Sequence, residues 1–274
     1  MRPRAAPAPE TGALLHFEHV NLRVPDHRTA TLFFVEGLGL TRDPYRMVGV
    51  RNMWVNVGTQ QFHLPIGEPT PLPGEVGLVV PDVDWIERQL DRVGRELKDT
   101  AFETAREGAE ILTTTPWGHR IRVVAAGPEA RFPLGLAYVE FWAAPGTSEG
   151  IGAFYRQCLQ CPVESRPIAG DPAVWVTVGP RQTFRFRERP AGGPVASTNH
   201  VAVYLTRYRA IYAELERRGC VMEPDTDEQF RFARITDPRT GAELFRFEHE
   251  MRSLHHPDFL RPLVNRTPVP YRVD

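Results

Sequence analysis

The sequence carries no surplus charge of either sign: 33 Lys and Arg stand against 34 Asp and Glu, a net charge of −1. A nucleic-acid binder usually shows a basic excess, so that class is set aside. Long hydrophobic runs are also missing, and none approaches the ~20 residues a membrane-spanning helix needs. Cysteine is scarce and odd in number, at three. That argues against a disulfide framework and for a reducing compartment, the cytoplasm. Cys158 and Cys161 form a single C-x-x-C near an expected helix end. Without a second cysteine pair or a nearby histidine pair, two half-buried thiols are the better reading than a zinc site, and Cys220 has no partner signal. Residues 1–13, rich in Pro, Ala and Arg, lack the apolar core of a signal peptide and read as a disordered lead-in.

What the chain has is a repeat. Residues 14–26 alternate as a strand does, with Phe17, Val20, Leu22 and Val24 supplying β-prone bulk and Pro25-Asp26 stopping it. Asp26 is placed to cap a helix over 27–36, which Gly37 and Gly39 end. A second copy opens at Glu75 and reaches Val80-Pro81-Asp82 before a helix over 85–93. A third opens over 136–142 with a helix over 151–159, and a fourth over 199–205 with a helix over 208–218. Each opening is followed by later strands: 52–57 and 60–64, 111–114 and 120–124, 173–178 and 183–187, 230–235 and 242–248. Residues 65–74 read as a Pro/Gly-rich connector and 125–133 as the linker between halves. From Met251 onward Pro257, Pro262, Pro268 and Pro270 forbid regular structure, and an irregular tail over 251–274 wraps the surface. Repetition at this period is a fold-level signal.

Four βαβββ units in two pairs resemble the vicinal oxygen chelate superfamily, which includes glyoxalase I, the bleomycin and fosfomycin resistance proteins and the extradiol dioxygenases. The resemblance spans about residues 14–250 and rests on pattern rather than on one invariant motif. It implies an α+β fold of two tandem glyoxalase-like domains with curved mixed sheets, expected at 14–125 and 134–250. Each pair of units would curl into a cup, with metal ligands on the first and last strand of each unit.

Carried over to the N-terminal half, the resemblance puts His19 and His63 at the first unit's ligand positions, Glu75 at the second unit's opening position, and Arg122 at its last. Two imidazoles and a carboxylate suit a divalent Fe, Mn or Zn ion. An arginine does not ligate, but Arg122 could hold an anionic substrate group. In the C-terminal half the corresponding positions are Tyr138, Arg185, His200 and Phe245. Only His200 coordinates metals readily there, so an extradiol type of iron site is not expected. Tyr138 and Glu140 share one strand face, as do Arg185 and Arg187, and guanidinium groups read carboxylates and phosphates. That cup is expected to bind an anion through Tyr138, Glu140, Arg185 and His200, with no metal. Glu248-His249-Glu250 adds polar groups just past the last expected strand. The resulting expectation is a cytoplasmic protein that binds a small anionic molecule and uses a divalent metal as a Lewis acid on vicinal oxygens, in isomerase, lyase or oxygenase chemistry. The alternative is a metal-free binding protein of the bleomycin-sequestering kind. Such domains tend to pair, so a homodimer is included.

Overall fold

The computed structural model describes residues 12–46, 50–127, 132–193 and 197–266. Most of the expected lead-in, part of the linker over 125–133, and Pro268 and Pro270 lie outside the described residues. The first unit consists of β1 (Leu14–Asn21), helix α1 (His27–Ala30), β2 (Thr41–Arg42), β3 (Asn52–Val57) and β4 (Gln60–Pro65). Helix α1 continues as a wider π-helical stretch, Thr31–Gly37, where Leu38 N donates to Phe33 O at 2.9 Å. The widening lets the consecutive Phe33 and Phe34 both enter the core. The second unit is β5 (Gly74–Val80), α2 (Val83–Leu97), β6 (Glu103–Glu107), β7 (Glu110–Thr114) and β8 (Arg120–Ala125). The third is β9 (Gly135–Ala143), α3 (Ser148–Cys158), β10 (Val163–Ser165), β11 (Ala173–Gly179) and β12 (Gln182–Glu188). The fourth is β13 (His200–Leu205), α4 (Tyr208–Arg217), β14 (Val221–Thr226), β15 (Gln229–Thr236) and β16 (Glu243–Arg252). Both Val-Pro-Asp triplets act alike: Asp26 Oδ1 accepts from Thr29 N at 2.7 Å and Asp82 Oδ1 from Trp85 N at 2.8 Å.

The units assemble out of chain order. One eight-stranded sheet runs β14-β15-β16-β13-β1-β4-β3-β2 and joins units one and four. The other runs β10-β11-β12-β9-β5-β8-β7-β6 and joins units two and three. Residues 14–125 and 134–250, expected as the two domains, therefore each contribute one unit to each sheet rather than closing one of their own. The two-fold relation survives, since β13 lies antiparallel to β1 as β5 lies antiparallel to β9. The connectors that carry the chain between sheets run side by side. Thr198 N donates to Thr70 Oγ1 at 3.0 Å, and the Asn199 amide donates to the Thr70 carbonyl.

Strand alternation sorts each sheet into two faces. The inner faces share one core with the helices, seen in the ring contacts Phe17–Phe184 at 5.3 Å and Phe141–Phe245 at 5.7 Å. Each such fully buried aromatic contributes about 2–3 kcal/mol of burial free energy. The outer faces are polar and form the two cups, the first on units one and four and the second on units two and three.

Candidate functional site

The first cup is organised by an irregularity in β1. Phe17 registers with Val203 and His19 with Ala202, so Glu18 is an extra residue on β1. A bulge of this kind re-aims side chains. Phe17 enters the core, while Glu18 and His19, which a regular strand would send to opposite faces, bond to each other on the cup face. The opposing strands complete the corners. His63 on β4 registers with Asn21, two residues past His19. Glu250 on β16 registers with Ala202, two residues past His200. His63 and Glu250 are thus equivalent positions, and the four corners of the first cup are His19, His63, His200 and Glu250.

Ligand-type atoms of His19, His63 and His200 lie within 4.8 Å of one another, and this is the one such trio among the described residues. The Nε2 atoms of His19 and His200 are 3.2 Å apart. Behind each ring stands a carboxylate. His19 Nδ1 is bonded to Glu18, which leaves its Nε2 lone pair pointing inward. His200 Nδ1 faces Glu248 Oε1 at 3.6 Å. With its proton on Nδ1, His200 would aim a lone pair inward and the two nitrogens would need a cation between them; with its proton on Nε2 it would donate to His19 Nε2. The separation is shorter than twice a Zn–N bond of about 2.1 Å, so one ion can touch both. His63 is fixed by stacking on Trp54 at 3.9 Å, by Asn21 Nδ2 at 2.9 Å from its Nδ1, and by Asn52 Oδ1 at 3.1 Å from its Nε2.

The electrostatics suit ligation. Burial, reinforced by His19, pushes His63 down to about 3 and holds His200 well below its ordinary value, so both stay neutral as ligands must. Burial alone would raise the Glu18 carboxyl, but the His19 imidazole and the Arg252 guanidinium outweigh it and bring it down to about 2. Glu250 also lies below the usual carboxylate range, because Arg252 leads the charges that overcome its burial. Arg252 bridges the two buried carboxylates, with Nη1 3.0 Å from Glu18 and Nη2 2.5 Å from Glu250. Arg231 spans Glu248 and Glu250 at 2.8 and 2.7 Å. Glu250 Oε2 lies 3.4 Å from His200 Nε2, within reach of the same centre.

The second cup has the same geometry and other side chains. Its corners are Tyr138, Arg185 (opposite Glu140), Glu75, and Arg122 (opposite Gly77). These bond to one another. Arg122 reaches Glu75, Glu107 and Glu110 at 2.8, 2.8 and 3.3 Å, and Tyr138 Oη donates to Glu75 at 2.8 Å. Arg185 is stacked between Tyr138 and Trp175, 3.7 and 3.8 Å from their ring centres. Arg187 approaches Glu140 at 3.7 Å and Asp171 at 2.7 Å.

Of the expected metal set, His19 and His63 are brought together, while Glu75 stands in the second cup on Arg122. Of the expected anion set, Arg122, Tyr138, Glu140 and Arg185 share that cup, and His200 stands beside His19 instead. The fourth corner expected at Phe245 is Glu250: Phe245 faces the core, 5.5 Å from the Phe186 ring, and β16 runs four residues past the expected end at Glu248. The signal for Glu250 was the parity that sets Glu248, Glu250 and Arg252 opposite Phe247, His249 and Met251. Nothing in the sequence marks Glu18, because a bulge has no composition signature. Cys158, Cys161 and Cys220 are free and buried.

No protein-family model and no curated protein matches the chain. Solved structures do. Glyoxalase I from Zea mays superposes with a TM-score of 0.61 at 15% identity, covering 89% of this chain and 94% of that one. A candidate dioxygenase from Bacillus subtilis superposes with a TM-score of 0.54 at 12% identity, covering 88% of this chain and 86% of that one. The chain therefore has the vicinal oxygen chelate fold, the glyoxalase- and dioxygenase-like arrangement of paired βαβββ units. No helix among the described residues is long and apolar enough to cross a membrane.

Proposed function

We propose that the protein is a metal-dependent enzyme of the glyoxalase and dioxygenase type, acting on a small anionic organic molecule in the first cup. The observation that carries this reading is the facing pair of imidazole nitrogens, each ring backed by a carboxylate. That is the carboxylate–histidine arrangement that orients metal ligands and raises their basicity. His19, His63 and His200 would hold a divalent Fe, Mn or Zn ion, His63 exchanging one of its Asn21 and Asn52 contacts for it, with Glu250 as the fourth group, a donor set that favours these metals over Mg or Ca. The ion would supply Lewis acidity toward vicinal oxygens of the substrate. Glu18 and Glu248 keep the two rings in the right tautomer, and Arg252 and Arg231 keep Glu250 ionised. Both cups are completed within one chain, so no second copy is needed to supply a corner. The buried free thiols fit a reducing cytoplasm.

The test is metal analysis of the untagged protein beside His19→Ala, His63→Ala and His200→Ala. About one transition-metal ion per chain is expected in the wild type and a small fraction of that in each variant. A wild type free of metal that takes up zinc or iron no better than His200→Ala would refute the reading and leave a metal-free binding cup.

A further inference from the structure

Two guanidinium groups flank the histidine trio, and both converge on a carboxylate that belongs to neither sheet. Arg252 is buried between Glu18 and Glu250. Arg46 lies 4.2 Å over Trp54, whose ring stacks on His63. Asp258 pairs with Arg46 through Oδ2, and the same oxygen is 3.7 Å from Arg252 Nη1. Asp258 comes from the segment after β16, which crosses the cup face. Phe259 packs on Tyr204 at 5.0 Å, Arg261 bonds Asp43 at 2.7 Å, and Asn56 Nδ2 donates to the Val264 carbonyl at 2.9 Å. The tail expected to wrap the surface thus covers part of the cup.

The charge balance bears on what else this cup accepts. Arg46, Arg231, Arg252 and Arg261 face Glu18, Glu248, Glu250, Asp43 and Asp258, four positive groups against five negative ones. A divalent ion on the histidines converts that excess of one negative charge to one positive charge. Withdrawal of Asp258 would add another. A metal-loaded cup therefore favours an anion beside the ion, and the position between Arg46 and Arg252 already has a carboxylate in it.

We propose that Arg46 and Arg252 form the seat for the carboxylate of a small organic acid, and that Asp258 occupies this seat as an internal stand-in which the substrate displaces. This rests on the metal reading above and adds the substrate class and a self-blocking tail. Guanidinium groups bind carboxylates through charge-assisted hydrogen bonds. Competition from Asp258 lowers the apparent affinity to the intrinsic one multiplied by the fraction of time the seat is free of the tail.

The experiment uses pyruvate as probe and methyl pyruvate as its uncharged control, by calorimetry on metal-loaded full-length protein. Metal content is measured first on wild type, Asp258→Asn and Arg46→Gln. Pyruvate should bind about tenfold more tightly to Asp258→Asn and about tenfold more weakly to Arg46→Gln, near the worth of one charge-assisted contact. Methyl pyruvate should bind all three alike. Phe259→Ala, which loosens the strap without removing a charge, should also tighten pyruvate binding, and it serves if Asp258→Asn folds poorly. With metal content equal across the set, an unchanged pyruvate affinity overturns the inference. So does pyruvate that fails to bind Asp258→Asn at millimolar concentration, or methyl pyruvate that tracks pyruvate. Loss of metal from the wild type would instead sink the metal reading, a separately observed failure.

Discussion

Replacing Arg252 with Met isolates the charge that holds the first cup together. Met keeps most of the apolar stem and removes the guanidinium, so little packing is lost. Two carboxylates that are themselves buried, Glu18 and Glu250, then lose their shared partner. Breaking one buried pair costs about 3–5 kcal/mol. For a chain of this size each kcal/mol shifts the melting temperature by roughly 2–4 °C, so a loss of roughly 6–20 °C is expected at neutral pH. The sign of the pH dependence follows from the carboxylates. In the wild type the Glu18 carboxyl is held at about 2, below its ordinary 4.5, so its contribution is present above 4.5 and lost as pH falls toward 2. In the variant, burial acts with less opposition and raises the folded-state value. The penalty is then largest at high pH and shrinks on acidification. Thermal melts of both proteins at about pH 8 and pH 5 check this, and Arg252→Met/Glu18→Gln should recover part of the loss. A gap of about 1 °C, or one that does not narrow at pH 5, would refute the reasoning.

Two further outcomes follow from buried histidines. His249 Nδ1 donates to the Phe247 carbonyl at 2.8 Å, so its Nε2 accepts from Tyr155 Oη at 2.6 Å. Tyr155→Phe should cost about 1–3 kcal/mol in urea denaturation by stranding that acceptor, and a cost under about 0.5 kcal/mol would contradict it. Burial pushes His119 down to about 4. The unfolded chain therefore binds the extra proton first, and stability present above about pH 6.5 is lost as pH falls toward 4. Between pH 7 and pH 5 the wild type should lose about 2 kcal/mol more than His119→Gln, and equal slopes would count against it.

Much of this fold could be read from residue order because the units announce themselves locally. A β-prone run marks all four, and in units one and two a Val-Pro-Asp stop with its capping aspartate needs no partner to be recognised. Edge strands such as β2 and β10 escaped because two or three residues carry no period. The partner of each unit is a different kind of fact. His19 and His200 are 181 positions apart in sequence and 3.2 Å apart in space, and nothing in the stretch around either one names the other. Consecutive units are the natural pair when only the chain is seen, which is how Glu75 came to be set beside His19. The resemblance assigns its corner positions strand by strand, and seven of those eight positions lie on cup faces here, because the place of a residue along its own strand is a local property. The eighth, Phe245, failed through strand length: β16 runs on to Arg252, and the corner moved with it to Glu250.

The two cups show how four positions on one scaffold direct it to different ends. In the second cup the corner groups satisfy one another, Glu75 with Arg122 and Tyr138, and Arg185 between two aromatic faces. Gly77 makes this closure possible, since a Cβ there would lie 2.1 Å from Tyr138 Cε1. A set so completed loses its internal partners if it takes up a ligand. In the first cup Nε2 of His19 and Nε2 of His200 face each other at 3.2 Å, with Glu18 and Glu248 behind their rings and Glu250 at the remaining corner. Burial keeps His63 and His200 neutral, the state in which an imidazole can ligate a cation. On the reading proposed above, the first cup gains an ion at its centre, whereas the corners of the second are already bonded to one another.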